Sequence, residues 1–200
     1  MADRVEELAR LFERFPGIGP RQAKRFVYHL LTIPQGDRAK LGNTITELAT
    51  DVKQCVDCMR FANGGGPKCS YCADTSRDDS LLLVLEKDQD LAAMERASTY
   101  RGRYFVLGGV LTLSGKGVIR EKELVRSVEA RVKNGLKEVV LALSATSEGE
   151  NTTDRVRELL RPFRDQVKIT ALGRGLATGS ELEYADKETL KGALQNRREA

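Results

Sequence analysis

All four cysteines of this chain lie within one stretch of eighteen residues. They form two Cys-x-x-Cys pairs, Cys55 with Cys58 and Cys69 with Cys72. Two such pairs can bring four thiolates to the corners of a tetrahedron, which is the geometry that Zn2+ prefers. The loop between them is short, and its three consecutive glycines let it turn back on itself. The spacing predicts one structural zinc ion per chain, because four thiolates leave no open position for a substrate or water.

Two other uses of these cysteines have to be weighed. A redox-active centre needs only one Cys-x-x-Cys pair, and disulfides suit secreted chains that lack other means of stability. Because no cysteine is left over outside the two pairs, the pattern favours zinc over either alternative.

A second candidate site lies in the segment Phe-Pro-Gly-Ile-Gly-Pro at residues 15–20. Gly17 and Gly19 let the backbone approach a partner closely. Pro20 fits the first position of a helix, where its missing N–H costs nothing. The unpaired amides at that helix start are donors for an anion. The segment therefore predicts a phosphate-binding turn.

Basic residues follow the turn directly. Arg21, Lys24 and Arg25 are spaced so that they share one face of the helix. The order aromatic-Pro-Gly-Ile-Gly-Pro-basic resembles the helix-hairpin-helix motif, which grips nucleic-acid backbones without reading sequence. The alternative is an ordinary glycine-rich turn with a solvated basic face. We favour binding of DNA, in which Gly17 and Gly19 act together with the three basic residues.

Carboxylates form a third candidate site. Glu86 and Asp90 follow one predicted strand, and Glu148 and Glu150 follow another. Ligands and metals collect at the carboxyl ends of parallel strands, and oxygen ligands suit Mg2+. The alternative is that these acids cap helices. Lys87 beside Glu86 weakens any Mg2+ site, and catalysis here would have to be metal-assisted.

These sites require helices near the amino terminus and an α/β domain after them. Apolar residues recur at helical spacing through the first fifty positions, and we expect Ala23, Phe26 and Val27 to pack on Leu11 and Phe12. From Leu81 onward the predicted strands are 81–85, 104–107, 139–143 and 167–172, alternating with predicted helices at 90–97, 121–133 and 153–160. Such alternation is typical of a parallel sheet wrapped by helices. The charged tail, 187–200, is predicted to be helical.

The composition fits a soluble globular protein. The chain has 200 residues, 40% hydrophobic and 31% charged, with a formal net charge of +4. This mildly basic balance permits nucleic-acid binding without requiring it. We see no leader at the amino terminus and no long apolar run, so we expect neither secretion nor a membrane span. Reduced thiols favour the cytoplasm.

The order of these parts resembles the bacterial RecR family of recombination mediators. Helix-hairpin-helix, four cysteines and a Toprim-like region follow one another, and the match covers almost the whole chain. The runs from Glu95 to Gly109 and from Arg174 to Asp186 are similar to the most distinctive runs of the family. The resemblance implies an α/β fold with four parts, which are a helix-hairpin-helix domain (1–53), a zinc element (54–76), a Toprim domain (77–172) and a carboxyl-terminal Gly-rich segment with a helix (173–200).

The resemblance also implies a function. Family members are non-enzymatic DNA-binding scaffolds that form dimers and tetrameric rings and act with RecO and RecF to load RecA at single-stranded gaps. A nucleoid-associated, cytoplasmic protein is expected. The sequence departs from the family at Glu86-Lys87 and at Ser144-Ala145-Thr146, which puts a Mg2+ role in doubt. The alternative is a small Mg2+-dependent Toprim nuclease of the ribosomal RNA maturation type, using Glu86, Glu148 and Glu150.

Overall fold

A computed structural model describes residues 3–197 and 199 of the chain. The chain divides into two compact units, one that runs through Val52 and one that begins at Lys53. Among the described helices, none combines the length and the hydropathy that crossing a lipid bilayer requires.

The first unit consists of three helices, α1 (Arg4–Phe12), α2 (Pro20–Thr32) and α3 (Gln35–Asp51). Asp3 caps α1, because its carboxylate accepts a 2.9 Å hydrogen bond from the backbone N–H of Val5. Three small or branched residues, Ala9, Ala23 and Val27, are buried where α1 and α2 meet. The short side chains of the two alanines allow the helices to approach closely.

Phe12 and Phe26 add an aromatic contact between α1 and α2. Their ring centroids lie 5.7 Å apart, edge to face. Ile18, in the turn between the helices, packs against the same core. We expected Leu11 to pack against α2 together with Phe12, and this prediction was wrong, because the Leu11 side chain is 48% exposed. Successive residues of a helix are rotated by about 100°. Leu11 therefore points to a different side of α1 from Phe12, which packs in the α1–α2 core.

Helix α3 is joined to α2 mainly through one arginine. The Arg38 guanidinium donates hydrogen bonds to the backbone oxygens of Leu30 at 3.0 Å and Ile33 at 2.6 Å, which caps the end of α2. No residue of α3 is buried. Its large apolar side chains are exposed, at Leu41, Ile45 and Leu48.

The cysteines lie in a small element at the start of the second unit. Strands β1 (Val52–Gln54) and β2 (Phe61–Asn63) form a two-stranded sheet, and the short helix α4 (Ser70–Ala73) follows. We call residues 52–73 the cysteine element. It is too small for a core of its own, and three of its four cysteines are buried against residues of the main sheet.

The main sheet has four parallel strands, β3 (Asp78–Leu85), β4 (Gly102–Val106), β5 (Glu138–Ala142) and β6 (Lys168–Ala171). Their spatial order is β4-β3-β5-β6. In β3, one of the two central strands, residues 81–85 form a continuous apolar run, as expected for a strand covered on both faces. The predicted α/β class and the predicted parallel pairing are confirmed.

Each face of the sheet has its own core. On one face, helices α6 (Glu121–Val132) and α7 (Ser147–Leu160) pack on the sheet. On the other face, α5 (Asp88–Ala97) packs beside the cysteine element. Helix α7 begins six residues before the predicted start, because the Thr146 hydroxyl accepts a hydrogen bond from the N–H of Gly149 and caps the helix there.

The carboxyl-terminal helix α8 (Lys187–Gln195) is capped by Asp186, which accepts hydrogen bonds from the N–H groups of Glu188 and Thr189. A side chain at Gly192 would clash, because its β-carbon would lie 2.9 Å from the β-carbon of Arg174. The predicted tail helix ends at Gln195, five residues early. Two of the tail residues, 198 and 200, lie outside the described residues.

Candidate metal centre and nucleic-acid interface

The four cysteine sulfurs lie within 4.8 Å of one another. Across residues 3–197 and 199, no other group of three or more His, Cys, Asp or Glu ligand atoms is this close. The sulfurs of Cys58 and Cys69 are 3.7 Å apart. A tetrahedral zinc ion with bonds of about 2.3 Å sets sulfurs about 3.8 Å apart, whereas a disulfide needs about 2.05 Å. The thiols are free, and their spacing fits a tetrahedral metal.

Backbone hydrogen bonds hold the sulfurs in this arrangement. The N–H of Cys69 donates to the sulfur of Cys55 at 3.3 Å. Met59 closes the first turn by donating to the backbone oxygen of Cys55 at 3.0 Å, with a positive φ of 62°. Ala73 closes the second turn in the same way on Cys69. The element can therefore hold a metal with four thiolates, and the identity of that metal stays a prediction.

The thiols also influence each other's ionisation. Hydrogen bonding to Cys69 and burial raise the pKa of Cys58. Hydrogen bonding from Cys58 and then Cys72 lowers the pKa of Cys69. The cluster therefore stabilises thiolate character at Cys69, and a cation is what would balance further deprotonation.

One arginine fastens the cysteine element to the main sheet. Arg103 is 8% exposed. It donates to the backbone oxygens of Tyr71 and Cys72, both at 3.2 Å, and to the carboxylate of Asp79 at 2.6 Å. Sequence analysis missed this role. The available signal was the run Tyr100-Arg101-Gly102-Arg103-Tyr104, in which an arginine interrupts an otherwise apolar buried strand.

Aromatic stacking reinforces the same junction. The guanidiniums of Arg60 and Arg77 lie 4.6 Å and 4.9 Å from the ring centroid of Tyr71. Arg77 also donates twice to Glu95 at 2.8 Å, and the Tyr104 hydroxyl donates to the same carboxylate at 2.5 Å. Burial, followed by this hydrogen bond, raises the pKa of Tyr104. Arg60, which lies between the two Cys-x-x-Cys pairs, and Arg77, which follows them, therefore help to pack the cysteine element against the sheet.

The turn between α1 and α2 has the geometry of an anion site. Gly17 has a positive φ of 77°, which L-residues with a side chain adopt rarely. Gly19 is the N-cap of α2, Pro20 is its first residue, and no side chain of the described residues caps this helix start. A side chain at either glycine would meet open space, so the turn is accessible from outside. The first amides of α2 are therefore unpaired and available to a phosphate.

The basic residues after the turn are all exposed. Among residues 3–197 and 199, the Arg25 side chain donates one hydrogen bond, to Gln22 at 3.3 Å, and the Arg21 side chain makes no hydrogen bond or ion pair. Lys24 differs from them, because its amine lies 2.6 Å from the carboxylate of Glu6, and this hydrogen bond raises its pKa. Arg21 and Arg25 are the uncompensated charges of this face.

The four predicted acidic residues lie at the carboxyl edge of the sheet, after β3 and β5. Three of them have separate partners, and the Glu148 side chain has none among the described residues. Glu86 has the amine of Lys87 at 3.6 Å. Asp90 accepts a hydrogen bond from the N–H of Lys87 at 3.0 Å, as part of the N-terminal cap of α5. Glu150 pairs with Arg174, and this hydrogen bond lowers the pKa of Glu150. No three of these carboxylates come within 4.8 Å of one another in the described chain.

Family models match three parts of the chain. The model described as RecR, helix-hairpin-helix covers residues 5–49. The model described as Toprim domain covers residues 80–173, and the model described as RecR, C-terminal covers residues 175–198.

Full-length relatives agree with these matches. A protein named Recombination protein RecR from Desulforudis audaxviator is 41% identical over 196 residues, which cover 98% of this chain and 94% of the relative. Proteins with the same name from Rippkaea orientalis and Bifidobacterium longum subsp. infantis are 39% and 38% identical, covering 96% and 98% of this chain and 96% of each relative. The chain therefore belongs to the RecR family.

Proposed function

We propose that this protein is a DNA-binding scaffold of recombinational repair, which acts with RecO and RecF to load the RecA recombinase at single-stranded gaps. The observation that carries the proposal is the α1–α2 turn. There, unpaired amides of an uncapped helix start lie on an exposed surface with the guanidiniums of Arg21 and Arg25, which pair with no acidic side chain in the described part of the chain. The names of the relatives support the recombination role.

The proposed contact is with the DNA backbone and is independent of sequence. Amides at a helix start and guanidiniums both bind phosphate oxygens, and neither reads a base edge. Gly17 and Gly19 keep the backbone close to the phosphate, and Lys24 contributes if it exchanges Glu6 for DNA. A formal net charge of only +4 suits an assembly in which several weak hairpins act on one DNA molecule.

We propose that the cysteine element holds one structural Zn2+ through Cys55, Cys58, Cys69 and Cys72. The support is the 3.7 Å spacing of two sulfurs and the burial of three of the four cysteines. Zinc would supply folding stability and no chemistry, because four thiolates fill a tetrahedral site.

Self-association is part of the proposal. Helix α3 buries none of its residues within the chain, and exposed apolar side chains such as Ile45 (63%) and Leu48 (58%) lie on it. A single helix with unpartnered apolar residues is stabilised when another surface covers them. This supports a homo-oligomer, which we propose to be a dimer that assembles into a tetrameric ring.

The proposal assigns no catalytic residue. Glu86, Asp90 and Glu150 are engaged by a lysine amine, a helix cap and an arginine, which supports a structural use of these acids over Mg2+-dependent cleavage. The working location would be the cytoplasm, in association with the nucleoid.

A RecA-loading assay tests the proposal. Gapped DNA coated with single-strand-binding protein is incubated with RecA, RecO and RecF, and RecA filament formation is followed by its ATP hydrolysis. We expect this protein to shorten the lag of filament formation, and the variant Arg21→Gln/Arg25→Gln to lose most of this effect. An unchanged lag with the wild-type protein would contradict the proposed function.

A further inference from the structure

A cavity of about 640 Å3 lies between the cysteine element and α6, inside the second unit. Four cationic and two anionic side chains line it, which are Lys68, Arg103, Arg126, Arg131, Asp57 and Asp79. The cavity is separate from the α1–α2 turn, since all its lining residues belong to the unit that begins at Lys53. Counting its Lys, Arg and Asp side chains, and leaving aside Cys72 of the metal cluster, the lining carries a charge of +2, which is four cations less two anions.

Both acids of the cavity are neutralised locally. Asp57 lies 2.8 Å from the amine of Lys68. Asp79 lies 2.6 Å from the guanidinium of Arg103, which is held further by two backbone oxygens. The positive charge that remains belongs to Arg126 and Arg131, both on α6.

The side chains of Arg126 and Arg131 make few hydrogen bonds with the described residues. The Arg126 side chain is exposed and pairs with none of the described residues. Within the described residues, the one hydrogen bond that the Arg131 side chain donates goes to the Ser127 hydroxyl, at 3.2 Å. Arg131 also lies in the last turn of α6, where a cation complements the helix dipole. That explanation does not extend to Arg126, which is more than one turn away from the helix end.

The spacing and the lining both suit phosphates. Arg126 and Arg131 are five positions apart, which is about 7.5 Å along the axis and about 140° around it, and they stand at the two edges of the α6 surface that lines the cavity. One guanidinium can donate two parallel hydrogen bonds to the oxygens of a phosphate. Ser127 and Asn134 add polar groups to the wall of the cavity. Val56 is the one large apolar side chain among the described lining residues. A protein partner would need more apolar surface, because interface energy concentrates on buried aromatic and apolar anchors.

We infer that this cavity is a second DNA-backbone site, in which Arg126 and Arg131 bind phosphates of the DNA. The inference rests on the proposed DNA-binding function. It adds that the cysteine element and α6, both in the second unit, form a DNA-binding surface of their own.

The test measures DNA affinity of the full-length protein against salt concentration, by fluorescence anisotropy of labelled single- and double-stranded oligonucleotides. The variant is Arg126→Gln/Arg131→Gln. Each lost phosphate contact lowers the slope of log affinity against log salt by roughly 0.7 to 0.9. We expect the slope to fall by about 1.4 or more and the affinity to fall about tenfold. The single variant Arg126→Glu alters only an exposed residue, so it tests the site even if the Arg131 change lowers stability.

Two matched variants separate the possible outcomes. Arg157→Gln/Arg164→Gln removes the same charge from exposed positions outside the cavity, and it should keep the wild-type slope. If Arg21→Gln/Arg25→Gln weakens binding while the cavity variants match this control, the cavity inference is wrong and the proposed function stands. If the wild-type protein does not bind DNA at low salt, both are wrong. Loss of binding to an acidic peptide such as polyglutamate, with unchanged DNA affinity, would overturn the DNA site in favour of a protein site.

Discussion

The backbone N–H of Val106 donates a 2.8 Å hydrogen bond to the backbone oxygen of Cys58. Val106 ends β4, one of the two edge strands of the main sheet, and Cys58 belongs to the first Cys-x-x-Cys pair. The cysteine element thus continues the hydrogen bonding of the sheet at an edge that would otherwise be open. This hydrogen bond links the backbone of the first Cys-x-x-Cys pair to the edge of the sheet. We therefore expect disorder at the cysteines to weaken the sheet edge, and the reverse.

Replacing Cys58 with serine should remove one metal ligand and loosen this edge. Structural zinc in finger peptides contributes roughly 10–16 kcal/mol of apparent binding free energy at neutral pH. Losing even about 3 kcal/mol of that should lower the melting temperature by roughly 10 °C. Native mass spectrometry should find one zinc per chain in the wild type and less in the variant. Ser70→Ala, an exposed neighbour, is the control. Full zinc content in Cys58→Ser would refute the four-thiolate site.

Arg103→Leu should destabilise the second unit by about 1–3 kcal/mol. The substitution leaves the partly buried backbone oxygens of Tyr71 and Cys72 without this donor, and a shielded carbonyl left unsatisfied costs up to about that much. Denaturant unfolding followed by circular dichroism measures the change. Arg101→Leu removes the same charge from an exposed neighbouring position and should cost less than about 0.5 kcal/mol. Equal losses of unfolding free energy in the two variants would mean that Arg103 does not fasten the cysteine element to the main sheet.

Self-association should depend on α3. The double variant Ile45→Glu/Leu48→Glu puts two charges on its exposed apolar residues, and burying an unpaired charge in an interface is costly. We expect the mass in solution, measured by light scattering, to fall at least twofold. Asn43→Glu, on the same helix, should leave the mass unchanged. An oligomer that survives the double variant would place the contact elsewhere.

The contact between Glu150 and Arg174 should make the carboxyl-terminal segment sensitive to acid. The hydrogen bond from Arg174 lowers the pKa of Glu150 in the folded chain. A lowered pKa means that the stabilisation is present above the ordinary glutamate value of about 4.5 and is lost as the pH falls through the folded value. Hydrogen exchange in residues 173–196 should therefore be less protected in acid, relative to other exposed segments. In Glu150→Gln this extra pH dependence should disappear, and its persistence would rule out the pair as the cause.

Some parts of the structure could be predicted from the sequence and others could not. The parallel strands were predictable, because continuous apolar runs such as that in β3 occur mainly in covered strands. The clustering of the cysteine sulfurs was predictable because two Cys-x-x-Cys turns leave few ways to arrange four thiols. The early start of α7 was missed because its cap, Thr146, precedes polar residues that carry no apolar periodicity.

Side-chain partners were the least predictable feature. The sequence places Lys24 beside Arg21 and Arg25 on one face, but nothing in it indicates that Glu6, on another helix, pairs with Lys24. Similarly, the sequence shows Arg103 only as a charged residue in an apolar strand. Nothing in it indicates that the backbone carbonyls of Tyr71 and Cys72 accept its hydrogen bonds. The four-part division of the chain, the zinc identity and the DNA-binding residues stay predictions.

The central claim is that the α1–α2 turn holds the DNA backbone, and the most direct measurement compares the salt dependence of DNA affinity in the wild type and in Arg21→Gln/Arg25→Gln. Lysine replacements at the same positions keep the charge and serve as the control. The account predicts that the glutamine variant weakens binding to all sequences alike and lowers the salt slope by about 1.4 or more. An unchanged slope in that variant, with the fold intact by circular dichroism, would contradict it.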